Sequence, residues 1–244
     1  MRQMSKSKVM AGLQCHKRLY LEVHRRELLD FSEQAQRAFA IGDEVGKAAR
    51  GQHPDGTLVA HQDDLSQALA QTKQLLDTPG RITLFEPAFQ HGRTLVRVDI
   101  FSRDGTSHRL VEVKSSTSVK PHYVNDVAIQ AWVVEGAGYP VKTAYLAHVD
   151  TSFVYPGGGD YRGLFTAQDL TGETAPMMEK MPRLVAELLD VLRGPEPDIP
   201  VSPHCKEPYD CPFMSHCSCP TARPRLPSIQ CAFSRAGASW WIHW

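Results

Sequence analysis

Residues 97–115 read Arg-Val-Asp-Ile-Phe-Ser-Arg-Asp-Gly-Thr-Ser-His-Arg-Leu-Val-Glu-Val-Lys-Ser, and this stretch decides the fold of the chain. At its centre lies an Asp-Gly pair, which favours a tight β-hairpin turn. On either side, apolar residues alternate with polar ones, which is the period of a half-buried strand. The stretch therefore predicts two antiparallel strands whose polar phase carries Asp99, Glu112 and Lys114.

The register of this hairpin matters because a slip of one residue sends a side chain to the opposite face of a sheet. Two registers keep the acids together. With a turn centred on the Asp-Gly pair, Arg97 faces Glu112 and Asp99 is a diagonal neighbour. With a four-residue loop, Asp99 faces Glu112 directly. In either register one divalent cation can bridge both carboxylates.

Two acids and a lysine on one face suit the hydrolysis of a phosphodiester bond. Mg²⁺ or Mn²⁺ prefers hard oxygen ligands and is commonly held by one or two carboxylates plus a substrate phosphate. The metal lowers the pKa of a bound water, and a nearby lysine adds a fixed positive charge. The trio therefore predicts a metal-dependent nuclease. The alternative is a salt-bridged sheet surface, since acid-x-Lys is common on solvated strands.

Cys205, Cys211 and Cys217 recur at intervals of six in a Pro-rich segment that has little core to bury. In a reducing compartment, clustered thiols indicate metal ligands rather than disulfides. Four thiolates suit zinc or an iron-sulfur cluster, and Cys15 is the favoured fourth ligand. The alternatives are unligated thiols, Cys219 as fourth ligand, or a zinc site of three cysteines and one adjacent histidine. The histidines beside these cysteines are His16, His204 and His216.

The overall composition does not indicate a nucleic-acid partner, because Lys plus Arg and Asp plus Glu both number 27. With 244 residues, 42% hydrophobic and 22% charged, the chain suits one large domain or one domain with an appendage. Residues 1–30 hold seven basic and three acidic side chains, so Lys17 and Arg18 are predicted to contact phosphate. The alternative is a solvated helix face.

Neither a membrane span nor a signal peptide is expected. No apolar run approaches the length of a span, and the N-terminal residues lack the hydrophobic stretch of a signal peptide. We therefore expect a cytoplasmic protein with no membrane partner.

The periodicity of the remaining chain predicts an α/β fold. Apolar residues at helical spacing predict helices over 34–50, 64–77 and 178–193, and a further helix of about 15 residues that begins near Pro121. Alternation predicts strands over 82–91 and 141–149. The Gly-rich residues 156–163 are expected to form a linker.

The order of these motifs resembles the core of the PD-(D/E)XK nuclease superfamily. It is most similar to the RecB-like nucleases that carry a 4Fe-4S cluster, among them the CRISPR-adaptation nucleases, the AddB nuclease domain and an uncharacterised bacterial family. The likeness rests on the acidic hairpin, on Glu112-x-Lys114, on a following helix with Gln130, and on one N-terminal and three C-terminal cysteines. It implies a restriction-endonuclease-like domain over 1–219, in which a mixed central sheet is flanked by helices and a Cys-rich iron-sulfur staple joins the two terminal segments.

The resemblance also implies roles for single residues. Asp99, Glu112 and the carbonyl of Val113 would bind the catalytic metal, and Lys114 would position or activate the attacking water. Gln130 would touch nucleic acid or order the site; the alternative is a helix-surface amide. The implied cluster ligands are Cys15, Cys205, Cys211 and Cys217.

The chain departs from the family pattern at three places. Gly46 stands where relatives place a metal-binding histidine, and Val134 stands where they place a tyrosine. The first interval between the C-terminal cysteines is also longer than usual. Glu86 is the candidate substitute ligand, although the Pro87 beside it suits a structural acid at an edge or bulge equally well.

The expected function is a metal-dependent deoxyribonuclease acting on single strands or ends, with a structural cluster. The alternatives are a catalytically degraded nucleic-acid-binding module and a zinc-stapled interaction domain. Residues 220–244 lack apolar periodicity and carry three tryptophans in their last five positions, Trp240, Trp241 and Trp244. We expect an irregular tail from a truncated or altered end, with exposed tryptophans that favour a protein partner.

Overall fold

The structure is a computed structural model that describes residues 3–60 and 64–218. The predicted tail over 220–244 and Cys219 lie outside the described residues. The described strands are β1 (Met4–Ser5), β2 (Thr57–Leu58), β3 (Ile82–Phe85), β4 (Ala88–His91), β5 (Thr94–Arg97), β6 (Ile100–Asp104), β7 (Ser107–Lys114), β8 (Val141–Val149) and β9 (Phe165–Asp169). The described α-helices are α1 (Lys6–Gln14), α2 (His16–His24), α3 (Glu33–Gly51), α4 (Leu65–Asp77), α5 (Pro121–Gly136), α6 (Thr171–Arg193) and α7 (Met214–Ser218). Short 3₁₀ helices lie at Arg26–Leu28 and Pro203–Cys205.

Six strands form a mixed sheet in the order β2-β3-β6-β7-β8-β9. In this sheet β2 is parallel to β3 and β7 to β8, while the pairs β3–β6, β6–β7 and β8–β9 are antiparallel. A smaller sheet has the order β1-β5-β4. The prediction of an α/β fold with mixed sheets flanked by helices is confirmed.

The predicted hairpin forms between β6 and β7, with a tighter turn than the four-residue loop considered. Asp104 pairs with Ser107 across Gly105 and Thr106. Gly105 has φ +59°, a backbone conformation that glycine adopts without a steric penalty. The turn is therefore formed by Gly105 and Thr106. It lies one residue further along the chain than a turn centred on Asp104-Gly105.

The register of this hairpin brings the two predicted acids together. Ile100 pairs with Val111, and continuing the same register by one residue sets Asp99 opposite Glu112. Of the two registers considered from sequence, the structure has the one in which the acids face each other directly.

The segment 82–91 is not one strand, as its alternation predicted, but two strands in two different sheets. The break falls at Glu86-Pro87, where Glu86 has φ +54° and Pro87 has no N–H to donate to a ladder. A second break, between β5 and β6, leaves Asp99 in a gap outside any strand. The two breaks are joined, because Glu86 N–H donates to the Asp99 carbonyl at 3.3 Å and Val98 N–H to the Pro87 carbonyl at 3.1 Å.

Helices cover both faces of the large sheet. One face packs on α5 and α6 to form the main core, whose members include Leu84, Phe101, Leu110, Leu146, Val127, Ile129, Val133, Met181 and Leu188. On the other face, Ala49 of α3 packs with Phe85, Ile100, Val111 and Ala147. Successive residues of β6 and β7 thus point into different layers, as the pleat requires.

The helix predicted over 178–193 begins earlier, at Thr171, and contains Pro176 and Pro182. An interior proline costs a helix about 3 kcal/mol, but this helix buries an apolar stripe that includes Met181 and Leu188 against the sheet and α5. Packing therefore overrides the local signal. None of the helices in residues 3–60 and 64–218 is both long and apolar enough to cross a membrane.

Candidate active site

A cleft of about 540 Å³ opens where the chain passes from the small sheet to the large one, beneath α3. Five predicted site residues line it: Glu86, Asp99, Glu112, Val113 and Lys114. Each comes from a strand end or from one of the two breaks, so the irregular backbone is what directs these polar groups to one place.

Asp99 is held in the gap by its own carboxylate. Its Oδ2 accepts a hydrogen bond of 2.6 Å from the backbone N–H of Val113. Burial, and then the negative charge of Glu112, raises the pKa of Asp99 well above its usual range. This carboxyl group therefore lacks a compensating positive charge strong enough to keep it ionised as readily as in water.

Glu112 has the opposite environment, although it is only 2% exposed. Its Oε1 accepts from Lys114 Nζ at 2.6 Å and from Lys6 Nζ at 2.9 Å. Burial alone would raise its pKa, but the charges and hydrogen bonds of Lys114 and Lys6 outweigh burial and lower it. Glu112 is thus a fixed carboxylate at the centre of the site.

Two residues of this network were not predicted as site residues, Lys6 and Asp126. Lys6 Nζ lies 3.2 Å from Asp126 Oδ1, and Lys114 Nζ lies 2.5 Å from Asp126 Oδ2. The two lysines therefore share two carboxylates. Burial opposes their charge, but Asp126 and Glu112 more than offset it, so the pKa of both lysines is raised.

A sequence signal for Asp126 existed. It stands four residues before Gln130 on α5, so both side chains occupy one helix face. No comparable local signal marked Lys6, which reaches Glu112 only because α1 packs against α5 and the small sheet.

Gln130 is fully buried and is not the surface amide that the alternative expected. Its Nε2 donates to Glu112 Oε2 at 2.7 Å and to the Asp126 carbonyl at 3.3 Å. Its Oε1 is buried and has no hydrogen-bond partner among the described residues. Gln130 therefore orients Glu112 from the core side, away from the open cleft.

Glu86 projects into the cleft from a backbone conformation that side chains rarely adopt, φ +54°. Such a residue typically costs about 1–3 kcal/mol, and strain of this kind concentrates at functional sites. Its carboxylate lies 3.6 Å from Arg50 Nη1. Burial and the charge of Glu112 raise its pKa, while Arg50 opposes the rise.

Gly46 of α3 lines the same cleft, in the position where a histidine was expected from the resemblance. A Cβ built on Gly46 would meet only the Arg50 Nη1, at 3.7 Å, within 4 Å. The helix therefore presents open space rather than a ligand at this point.

The carboxylates of the cleft are oxygen ligands of the kind that a hard cation prefers, but they are not arranged around a common point. Within residues 3–60 and 64–218, no group of three or more His, Cys, Asp and Glu side chains is arranged to hold a metal ion. The raised pKa of Asp99 beside ionised Glu112 is the state that a cation would relieve, because it would neutralise two facing carboxyl groups. A cation at Glu112 Oε1 would compete with Lys6 and Lys114, which both donate to that oxygen.

The predicted cluster ligands lie toward the other end of α1. Cys205 is buried, Cys15 lies between α1 and α2, and all four thiols are free. Burial raises the pKa of Cys211 and Cys217, and neighbouring thiols, including Cys205, add to the rise. Cys15 is among the groups that act on Cys217. The four thiols therefore lie in one region of the molecule, but within residues 3–60 and 64–218 they are not arranged as a group that would hold a metal ion.

A glutamine joins the segments that carry these cysteines. Gln14 Nε2 donates to the carbonyls of His204 and Tyr209, each at 2.8 Å. The backbone N–H of Cys211 donates to the Cys205 carbonyl at 2.8 Å, which closes the loop between them.

Lys17 and Arg18 are not among the described residues that line the cleft. Lys17 Nζ lies 3.3 Å from a Glu196 carboxylate oxygen, and Arg18 Nε donates to Glu22 at 2.9 Å. Their charges act on Cys217 and Cys211. Both residues thus lie beside the cysteine segment, and their predicted contact with phosphate would occur there.

Comparisons with known proteins leave the family open. No protein-family model matches the chain. A stretch of 68 residues, 28% of the chain, is 29% identical to part of the uncharacterised protein UU173 of Ureaplasma parvum serovar 3, and it spans 10% of that protein. The crystal structure of SSO0001 aligns with 82% of this chain and 80% of its own, at 12% identity and a TM-score of 0.38. A similarity that weak carries no argument about function.

Proposed function

We propose that the protein is a metal-dependent nuclease that hydrolyses phosphodiester bonds in DNA, on single strands or at ends. The observation that carries the proposal is the convergence of Asp99, Glu112 and Lys114 in one cleft, with Asp99 facing Glu112. The resemblance to the RecB-like nucleases assigns these same residues to the metal and to the attacking water.

The chain's own groups suit this chemistry. Asp99 and Glu112 would hold Mg²⁺ or Mn²⁺ together with the Val113 carbonyl, and Glu86 is the available further carboxylate. When bound, the metal supplies an acidified water and neutralises charge on the phosphoryl oxygens. Lys114 and Lys6 place two ammonium groups beside Glu112, where they can attract the phosphate of the substrate. Gln130 keeps the Glu112 carboxylate oriented.

We propose further that Cys15, Cys205, Cys211 and Cys217 hold a structural 4Fe-4S cluster. The hydrogen bonds from Gln14, next to Cys15, to the segment that carries Cys205 and Cys211 support this ligand set. Each histidine of the zinc alternative has a partner at one ring nitrogen: His16 Nε2 lies 3.8 Å from Glu187, His204 Nδ1 lies 2.5 Å from the Ser202 hydroxyl, and His216 Nε2 lies 3.5 Å from Glu196. A hydrogen bond at one ring nitrogen leaves the other nitrogen free to bind zinc, so the choice of four thiolates over three thiolates and an imidazole rests on the resemblance.

A second candidate function is nucleic-acid binding without catalysis. It is favoured by Gly46, which adds no ligand to the cleft, and by the two lysines that already compensate Glu112. In this case the lysines would replace the cation rather than cooperate with it.

A cleavage assay distinguishes the two functions. We expect single-stranded DNA to be cut with Mn²⁺ or Mg²⁺ and to remain intact in EDTA. Asp99→Ala and Lys114→Ala should each lower the rate by about a hundredfold or more, because each removes a ligand or a fixed charge at the reacting phosphate.

Matched controls are Asp104→Ala at the hairpin turn and Lys142→Ala on β8, two exposed positions that change the same charges away from the cleft. They should cut at the wild-type rate. If wild-type protein cuts neither DNA nor RNA with any divalent metal, while Asp99→Ala binds DNA as well as wild type does, the binding function replaces the nuclease.

A further inference from the structure

Beside the acidic cleft lies a second cavity of about 290 Å³ with the opposite electrostatic character. The residues that line it include Arg81, Arg109, His53, Thr83 and Ser102, but no acidic residue. At about 30 Å³ per water molecule, it has room for an anion with part of its hydration shell.

The charges around this cavity favour an anion. The Arg109 guanidinium lies 4.1 Å from the centre of the Tyr145 ring, which holds it over the sheet. Burial, and then the charge of Arg109, lowers the pKa of His53, so a positive field reaches that imidazole. Hydrogen bonds from Thr171, and to a smaller extent the charge of Arg109, lower the pKa of Asp169. This acid lies outside the lining of the cavity, and its carboxylate accepts from Thr171 Oγ1 at 2.6 Å.

The two cavities are adjacent, since Ile100 and Val113 line both. Along β7, Val113, Val111 and Arg109 share one face of the sheet because side chains alternate. At about 3.3 Å per residue, Arg109 lies roughly 13 Å along the strand from Val113. That distance equals about four stacked nucleotides at 3.4 Å each.

We propose that this cavity binds a second, non-reacting phosphate of the same nucleic-acid strand, held by Arg81 and Arg109, a few nucleotides from the bond in the cleft. The inference rests on the proposed function and adds the strand's path across the sheet. A guanidinium pair with no competing acid in the cavity suits a phosphate, because each can donate two parallel hydrogen bonds. Four acidic residues line the cleft, Asp43, Glu86, Asp99 and Glu112, so an anchor outside it would help to keep a polyanion close.

The test uses binding of a fluorescent single-stranded DNA to the full chain without divalent metal, so that no cleavage occurs. The double variant Arg81→Ala/Arg109→Ala should bind about tenfold more weakly and with a salt slope lower by about one, since the contact with one phosphate is lost. Arg81→Lys/Arg109→Lys should keep the salt slope but lose part of the affinity. Arg183→Ala/Arg193→Ala on α6 is the control with the same charge change and should bind as wild type does.

A methylphosphonate scan locates the anchored phosphate. Neutralising one linkage at a time should weaken wild-type binding at a position a few nucleotides from the cleaved bond, and this effect should vanish in Arg81→Ala/Arg109→Ala. As a spectroscopic check, the same DNA should raise the pKa of His53 in an NMR titration. If inorganic phosphate alone at the same phosphate concentration raises it as far, the cavity takes free phosphate and the strand anchor is wrong.

The outcomes for the two proposals are separable. If the methylphosphonate scan locates an anchored phosphate but the protein cleaves no nucleic acid, the nuclease function is wrong and the phosphate anchor stands. Cleavage by wild type together with unchanged binding and salt slope in Arg81→Ala/Arg109→Ala would remove the anchor and keep the nuclease.

Discussion

Asp99 and Glu112 face each other, yet their surroundings push their protonation in opposite directions. Glu112 is paired with two lysines, so its pKa is lowered, while Asp99 has one backbone N–H and a raised pKa. Environments that separate the pKa values of two neighbouring acids are typical of catalytic sites. The separation supports distinct roles, with Glu112 as a permanent anion and Asp99 as a group whose charge a cation would stabilise.

At the residue scale we predict that Asp99→Asn stabilises the metal-free protein. Because the folded-state pKa of Asp99 is raised above 3.8, ionisation costs folding free energy at neutral pH. Asparagine can still accept the Val113 N–H and carries no charge, so the free energy of unfolding should rise by roughly 1 kcal/mol or more.

The pH dependence of this stabilisation follows from the linkage between proton binding and folding. Wild type loses stability as pH rises from 3.8 through the folded pKa of Asp99, so the advantage of Asp99→Asn should be full above that pKa and absent below 3.8. Urea unfolding at several pH values measures it. Added Mn²⁺ should stabilise wild type and not Asp99→Asn; equal stability of both proteins at neutral pH in EDTA would contradict the assignment.

At the element scale, the cleft depends on interruptions of regular structure. The breaks at Glu86-Pro87 and around Asp99 let one polypeptide cross between two sheets, and they turn carboxylates toward α3. Helix α3 lines the cleft and brings Arg50 to Glu86, but it adds no side chain at Gly46.

We predict that Gly46→His increases metal affinity. The position lines the cleft and has space for a side chain, so an imidazole would add a ligand near Glu86 and Asp99. Mn²⁺ should bind roughly tenfold more tightly, equivalent to about 1.4 kcal/mol, as measured by isothermal titration calorimetry.

Gly46→Ala is the control for Gly46→His, because it should stabilise α3 by about 0.5–1 kcal/mol without changing metal affinity. If Gly46→His binds Mn²⁺ no better than Gly46→Ala does, the position does not face the metal site.

At the scale of the whole molecule, the two ends of the described chain are tied together beside α1. Gln14 bonds to the loop that carries Cys205 and Cys211, while Lys6, earlier on the same helix, donates to Glu112. One short helix thus connects the cysteine segment to the carboxylates. If the cysteine segment became disordered, α1 would lose its contacts through Gln14, and we expect Lys6 to shift away from Glu112.

We predict that protein purified without oxygen is brown, with absorption near about 400 nm from an iron-sulfur cluster. Cys211→Ala and Cys15→Ala should each lose the colour and unfold at lower temperature, because ligands from distant segments convert binding free energy into folding free energy. Cys219→Ala, outside the proposed ligand set, should stay coloured.

Two results would contradict the cluster prediction. A fully coloured and well-folded Cys15→Ala protein would remove Cys15 from the site. A colourless protein with one zinc ion per chain would replace the cluster with the zinc alternative.

Local pattern was enough to predict several elements of this protein. Helix α5, strand β8 and the β6–β7 hairpin follow from periodicity and from one Asp-Gly pair, because a helix stripe or a strand pleat is set by neighbours in sequence. The same pattern placed Asp99, Glu112 and Lys114 on one face. The structure brings all three into one cleft.

Tertiary structure alone decided the rest. Lys6 and Arg50 reach the acids because α1 and α3 dock on the sheets, and the alternating segment 82–91 divides because each half finds a different partner strand. Sequence by itself determined which residues could form a strand, a helix or a charged face. Which of those faces meet is decided by long-range burial and charge pairing, whose free energy depends on the whole chain being folded.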